Sequence, residues 1–364
     1  MLTHCLSLCE HMRSQDLEVD LYVPSSDRDG RRSFTHDAVP PWLKAGCYRL
    51  NRSGAVAMLA LRRQFRRALK RADVAYIWAA TPEAFYLDVK SSGLPPFVER
   101  MNCHRATSVP ILDEAYRRAG LPPAHGISAA SLLEERRKLA LADWIFAPSP
   151  LVVKSLLDEG HPPEKVLATS YGWSPERMTA ERNRAEVDVR PRILFVGTLN
   201  IRKGAHLLLN RWAAAEIDGC LDLCGQVTDE IRRVAGQHLQ RPDVKFHGHV
   251  PNIAQAYADS DVFAFPTFEE GGPLVTYEAA AHGLGIVTTP MGAGAIIRDG
   301  VEGLVRHPYD DEGWIQALRR LAANRELRSR LGTAARVRAQ AFTWSKVGGA
   351  RRELVVQALG RQRF

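Results

Sequence analysis

Short apolar runs recur along the whole chain, separated by polar stretches in which apolar residues return every three or four positions. Residues 192–196, 221–224, 244–247, 262–265 and 285–289 read as strands buried on both faces, with helices fitting between them. Residues 17–24, 74–78, 96–102 and 144–147 have the same character nearer the start. Leu2, Leu6, Cys9 and Met12 predict one face of an opening helix, and residues 131–142 predict another. Ser149-Pro150 reads as a helix start, and helical segments fill much of 310–357. From His104 to about residue 127 the pattern predicts a long irregular segment. Alternation of strands with helices predicts an α/β fold with parallel sheets. Polar residues 172–190, which contain Trp173 and Pro175, divide the series into tandem halves. The expected units are 1–172 and 173–344, with a helix over about 345–364 packing back on the first. Nucleotide-binding α/β units usually begin with a strand and a Gly-rich loop. A helix comes first here, so the first half is expected to lack its first strand.

A chain of 364 residues is long for one core, which agrees with two units. Apolar residues make up 45% and charged residues 25%, the balance of an ordinary soluble protein. No apolar run approaches the roughly 20 residues of a membrane span, and the N-terminus lacks the long apolar centre of a signal peptide. The six cysteines are scattered, and even Cys220 and Cys224 have no histidine at ligand spacing. Buried thiols in a reducing cytoplasm are the expectation.

The net charge of +8 is unevenly distributed locally. Between Asp37 and Asp73 there is no acid, while Lys44, Arg49, Arg52, Arg62, Arg63, Arg66, Arg67, Lys70 and Arg71 all fall there. Met58, Leu61, Phe65 and Leu69 at helical spacing set these cations beside and opposite a buried stripe. The result reads as a solvated helix face or as a patch for anionic lipid or a phosphorylated acceptor. No aromatic ladder accompanies the charge, which argues against nucleic acid.

The most informative stretch is 262–283. An apolar strand enters an acidic Glu269-Glu270-Gly271-Gly272-Pro273 turn and continues as an Ala-rich helix stopped by Gly283. Unpaired backbone N–H groups and the positive end of a helix dipole converge at such a junction, making an anion site. Glu270 lies before the turn and Glu278 about one turn into the helix. An anion site flanked by two carboxylates suits a ligand with central phosphates and hydroxyls at both ends, as in a nucleotide sugar. An Asp-x-Asp at Asp27-Arg28-Asp29 spells a metal motif, but its arginine would repel the ion, so no metal or other cofactor is expected.

Several motifs stand in a shared order: Val196-Gly197-Thr198-Leu199-Asn200-Ile201-Arg202-Lys203-Gly204, Phe246-His247-Gly248, Phe265-Pro266-Thr267, the Glu270/Glu278 pair, Ile297-Arg298-Asp299-Gly300 and Phe342-Thr343-Trp344. Together they resemble the group 1 glycosyltransferases of family 4. The likeness is close over roughly 130–350 and thin before that. It implies the GT-B fold, in which two Rossmann-like domains face each other across a cleft. It also implies retaining transfer of a sugar from a nucleotide-diphosphate donor to a glycan, lipid-linked or small-molecule acceptor.

The resemblance assigns roles position by position. Lys203 would hold the donor diphosphate at the Gly197 and Thr198 loop. An arginine is frequent in relatives where Thr198 stands, so Arg202 is expected to substitute for it. Glu270 would contact the sugar and Glu278 the ribose. Gly271, Gly272, Leu274 and Val275 would line the site through their backbone. His104 matches a histidine that faces the donor sugar. Pro273 and Ala295 depart from the family, which often has Gly and Glu there. Glu99 reads as an acceptor-orienting acid or a core ion-pair member, and Glu134 and Glu135 as structural. Fixed cations at a diphosphate supply the largest stabilisation available when a sugar–phosphate bond breaks. Two other functions fit the same scaffold: a phosphorylase or hydrolytic epimerase, and a catalytically silent nucleotide-sugar-binding protein.

Overall fold

The structure is a computed structural model that describes residues 2–25, 32–40, 54–183 and 190–362. The chain opens on α1 (Leu2–Met12), followed by β1 (Leu21–Val23) and β2 (Thr35–Asp37), which pair in parallel. Next come α2 (Ala55–Ala68), β3 (Ala75–Trp78), α3 (Glu83–Ser92), β4 (Pro96–Glu99), α4 (Arg105–Arg118), α5 (Ala129–Ala140), β5 (Trp144–Ala147), α6 (Pro150–Asp158) and β6 (Val166–Ala168). Strands β3 to β6 pair in chain order, all parallel.

The second half comprises β7 (Arg192–Val196), α7 (Ala205–Ala215), β8 (Cys220–Cys224), α8 (Asp229–Ala235), β9 (Val244–Gly248), α9 (Ile253–Ala258), β10 (Val262–Phe265), α10 (Leu274–His282), β11 (Gly285–Thr288), α11 (Pro290–Ala293) and β12 (Leu304–Val305). Helices α12 (Asp311–Ala323), α13 (Arg325–Ala339) and α14 (Trp344–Gln362) follow. The six strands lie in the order β12-β11-β10-β7-β8-β9. Ile193, Leu194 and Phe195, with Val262 through Phe265, are wholly buried, and Trp212 and Trp314 are almost wholly so. Each such side chain contributes about 1.5–3 kcal/mol of burial. The continuous apolar runs are therefore central strands covered on both faces.

That strand order positions the site. The chain leaves β7 toward β8 on one side and reaches β10 on the other, so β7 and β10 flank the point where the winding reverses. Ligands of open α/β sheets bind outside the carboxyl ends of the strands at such a point. The loops following β7 and β10 are neighbours there although they lie far apart in sequence.

Local structure differs from the sequence pattern in three places. Residues 105–118, expected to be irregular, form α4 despite Pro110 inside it. The His104 ring caps the helix by accepting from the Ala106 N–H, and Leu112, Ala115 and Tyr116 bury one face. Helix α5 begins earlier than predicted because Ser128 and Ser131 form a reciprocal capping box. The strand expected over 17–24 shortens to β1, whose partner β2 is equally short. Lys44, Arg49, Arg52 and Asp27-Arg28-Asp29 lie outside the described residues.

The end of the chain returns to its beginning. Helix α14 lies against α1 so closely that a Cβ on Gly348 would sit 2.6 Å from the His11 backbone. Arg351 on α14 is fully buried, paired with Glu99 of β4 and donating to Tyr76 Oη at 2.8 Å and Ser170 O at 3.0 Å. The core ion pair expected near Glu99 thus forms with Arg351, while Arg100 pairs with Glu135 at 2.6 Å. Glu135, 2% exposed, is a buried anchor that also accepts from the Arg105 backbone N–H at 2.7 Å. Glu134 pairs with Lys138 at 3.4 Å.

Candidate active site

The loop after β7 turns back on itself at Gly204, whose φ of 69° and contact with the Pro266 carbonyl both exclude a side chain. This turn starts α7 and presents Arg202 and Lys203 to the loop after β10. Lys203 Nζ donates to Glu270 Oε1, and Thr267 Oγ1 donates to the same oxygen at 3.0 Å. Arg202 Nη1 reaches Glu269 Oε2 at 3.2 Å and lies 3.9 Å from Glu270 Oε1. Two cations from one loop thus meet two adjacent carboxylates from another. Burial pulls the Lys203 ammonium below its usual pKa, and Glu270 opposes that shift. Burial likewise pushes the Glu269 carboxyl up, with Arg202 pulling the other way.

Gly271 and Gly272 follow, and each faces the first half. A Cβ on Gly271 would collide with the Met101 carbonyl, and one on Gly272 would sit 2.7 Å from the Tyr171 ring. These two glycines permit the acidic turn to lie directly on the segment after β4. Cys103 Sγ contacts the Glu270 carbonyl there at 3.9 Å, and Asn102 Nδ2 donates to Glu269 Oε2 at 3.1 Å. Pro273 precedes α10, so Leu274 and Val275 open that helix with N–H groups that have no partner within it.

Glu278 lies in the next turn of α10. Tyr257 Oη donates to its Oε2 at 2.9 Å, and burial raises its pKa while that hydrogen bond pulls down. Gly197 continues from β7 and Thr198 is exposed. Ala295 has no polar side chain to offer; its backbone N–H donates to Tyr277 Oη at 3.3 Å.

His104 is the predicted site residue that the fold directs elsewhere. Its side chain is fully buried, with Nδ1 capping α4 and Nε2 3.3 Å from Glu135. Burial lowers its pKa, the shift of an imidazole held neutral. Thr267, part of the Phe265-Pro266-Thr267 motif, joins the site, as do Asn102, Ser108 and Glu269, which were assigned no role in the sequence. Only the adjacency of Glu269 to Glu270 offered a hint of it.

A site at the winding reversal, with cations facing acids across two loops, can be set beside known proteins. The family model described as "Glycosyl transferases group 1" matches residues 190–324, and "Glycosyl transferase 4-like domain" matches residues 1–172. The chain belongs to the group 1 glycosyltransferases. A D-inositol 3-phosphate glycosyltransferase of Xylanimonas cellulosilytica is 29% identical over 194 residues, covering 50% of this chain and 46% of that protein. The chain therefore spans about half the length of this curated relative. Solved structures agree over more of the length. HepE from Anabaena in complex with UDP and glucose superposes with a TM-score of 0.70 at 15% identity, covering 98% of this chain and 95% of HepE. Sucrose-phosphate synthase from Thermosynechococcus elongatus gives 0.68 at 18% identity, covering 91% and 82%. Those likenesses show the fold, which is GT-B.

Proposed function

We propose that this protein transfers a sugar from a nucleotide-diphosphate donor to an acceptor hydroxyl, with retention at the anomeric carbon. The observation that carries the reading is the convergence of Lys203 and Arg202 on Glu270 and Glu269 at the reversal point of the second sheet. The donor diphosphate takes the place of Glu270 at Lys203, leaving Glu270 free for the sugar. As the sugar–phosphate bond breaks, charge accumulates on the departing diphosphate, and Lys203, Arg202 and the first N–H groups of α10 meet it. The acceptor oxygen bonds to the anomeric carbon on the face the phosphate leaves, and its proton passes to a phosphate oxygen. Glu278 receives the ribose hydroxyls. No metal is required, because side-chain cations already face the diphosphate. HepE is solved with UDP and glucose, which makes UDP-glucose the first donor to try.

The acceptor is a glycan, a lipid-linked glycan or a small molecule, and α2 favours one at a membrane. Val56 and Leu59 are exposed on that helix, in line with Arg63, Arg66, Arg67 and the following Lys70. Apolar side chains beside a row of cations suit peripheral contact with anionic lipid, at the cytoplasmic face of a membrane. No helix among the described residues is long and apolar enough to cross it. Nucleic acid is not proposed as a partner.

The deciding experiment incubates the chain with UDP-, GDP- and ADP-sugars, with and without lipid-linked acceptors, and follows nucleotide release and the mass of the product. Acceptor-dependent release carries the proposal. Release that requires inorganic phosphate, or water alone, replaces it with a phosphorylase or epimerase, and binding without any release makes the protein a silent nucleotide-sugar binder.

A further inference from the structure

Glu269 is not one of the two glutamates expected to touch the donor, yet it is more deeply buried than Glu270, at 2% against 8% exposed. Its carboxylate is held by side chains from both halves. Oε2 accepts from Arg202 Nη1 at 3.2 Å and from Asn102 Nδ2 at 3.1 Å, and Ser108 Oγ, whose proton is shared with the His104 carbonyl at 3.3 Å, lies 3.5 Å from Oε1. Its backbone carbonyl takes the same Arg202 nitrogen at 3.2 Å. Asn102 follows β4 and Ser108 lies in the first turn of α4, so two of these donors belong to the first half. Arg202 belongs to the second half and keeps about a third of its side chain exposed.

This arrangement separates the duties of the two adjacent acids. With Oε2 held by two side chains and the residue 2% exposed, Glu269 presents little surface to a sugar hydroxyl. It also pins one guanidinium nitrogen at two points, which restricts a rotamer-rich side chain and leaves its remaining N–H groups for a ligand. A carboxylate shared among three donors neutralises an arginine less completely than one it holds alone, so Arg202 keeps attraction for an anion. The bonds to Asn102 and Ser108 require the two halves to be together.

From this geometry we infer that Glu269 is a positioning residue: it holds Arg202 at the donor diphosphate and makes that placement depend on docking of the first half through Asn102 and Ser108. The inference rests on the donor-site reading above. It names no new contact with substrate, and Glu269 acts through Arg202.

The test is calorimetric titration of the whole chain with UDP and UMP, with GDP/GMP and ADP/AMP in parallel. The wild-type protein, Glu269→Gln, Asn102→Ala, Arg202→Ala and the Arg202→Ala/Glu269→Gln double variant are compared, with thermal melts as a check on folding. Glu269→Gln is expected to weaken binding of the preferred diphosphate about tenfold while leaving its monophosphate within about twofold, and to add little once Arg202 is gone. Asn102→Ala, which leaves the carboxylate in place, shifts the diphosphate in the same direction by a smaller factor. Should Glu269→Gln fail to fold, Asn102→Ala decides: an unchanged diphosphate-to-monophosphate ratio overturns the inference. Equal losses for both nucleotides, or losses that add fully to those of Arg202→Ala, also overturn it while the donor reading stands. A wild-type chain that binds none of the three diphosphates overturns the donor reading and the inference with it.

Discussion

Lys203 Nζ donates to Glu270 Oε1, joining the loop after β7 to the loop after β10 and closing each charge against the other. Both side chains are largely buried, at 15% and 10% exposed, so water screens the pair only partly. A diphosphate must therefore offer Lys203 more than Glu270 does. On the donor-site reading, charge developing on the leaving group supplies that difference most fully in the transition state.

Lys203→Ala should accordingly lower kcat by about 100- to 1,000-fold, the usual loss when one donor to a developing charge is removed. KM for the nucleotide sugar should rise much less. Steady-state kinetics with the preferred donor check this, and unchanged turnover would remove Lys203 from the reaction.

Gly271 has no room for a methyl group, because the Met101 carbonyl occupies that space. Gly271→Ala must push the acidic turn off the first half or distort it. A misplacement of about 1 Å costs on the order of 100-fold in rate. We expect kcat/KM to fall by that order while the thermal melt of the second half changes little. Gly93, at a helix end with open space around it, is the control: Gly93→Asn leaves activity unchanged.

The apolar strands and the Glu270/Glu278 spacing were legible in the sequence for a physical reason. Strands such as 193–195 and 262–265 are covered on both faces, which leaves an unbroken apolar run. The paired glutamates sit on a strand–turn–helix junction whose chemistry is local. Helix α4 was not legible, because Pro110 interrupts it and its first turn is secured by the His104 cap and the Glu135 carboxylate. His104 read as facing the donor from its match to a family histidine, whereas the cap ties its ring to α4. The Glu269 contacts with Asn102 and Ser108, and the Arg351–Glu99 pair, join residues far apart in sequence, and no periodicity marks such partners.

Glu278, proposed to receive the ribose hydroxyls, offers a test of whether such a residue is retained against stability. Burial raises its pKa above the ordinary carboxylate value, so the native state prefers it protonated. Its contribution is most favourable in acid, below the unfolded value near 4.3, and is lost as pH rises through the folded value. Glu278→Gln keeps an acceptor for Tyr257 and removes the buried charge. The variant should melt higher than wild type at pH 7, with the gain vanishing below about pH 4. Its affinity for the donor should fall about 10- to 100-fold at pH 7, as expected for loss of a charge-assisted bond to the ribose. Melts at the two pH values and nucleotide titrations measure both effects, and a 2′,3′-dideoxy nucleotide should not distinguish the variant from wild type.

Arg351 and Glu99 are both wholly buried, so each depends on the other. Arg351→Met should destabilise the protein by about 3–5 kcal/mol, because Glu99 is then left charged and unpaired. Tyr76 Oη would still donate to it, but a neutral hydroxyl does not replace the lost cation. Adding Glu99→Gln should recover part of the loss. By contrast, Lys154→Ala breaks an exposed pair with Asp158 and should change stability by less than about 1 kcal/mol. Urea unfolding of the four proteins distinguishes a buried staple between α14 and β4 from a general effect of removing cations.

The cations of α2 are not equivalent, and the difference makes the membrane proposal testable. Arg62 is held by Asp88 through two bonds of 2.6 and 2.9 Å, and Arg66 lies 3.8 Å from the same carboxylate. Arg63, Arg67 and Lys70 are exposed on the helix or just beyond it. Each cation near an anionic surface is worth about 1 kcal/mol, so replacing Arg63, Arg67 and Lys70 with Gln should weaken binding to phosphatidylglycerol vesicles about 100-fold. Arg62→Gln should weaken it far less, because Asp88 already neutralises that charge. Substituting Val56 and Leu59 with Ser should weaken binding in a way that added salt does not reproduce, since apolar insertion is not screened. Vesicle sedimentation at low and high salt measures all three. Equal binding by the triple variant and wild type would mean that α2 is a solvated face and that the acceptor is met elsewhere.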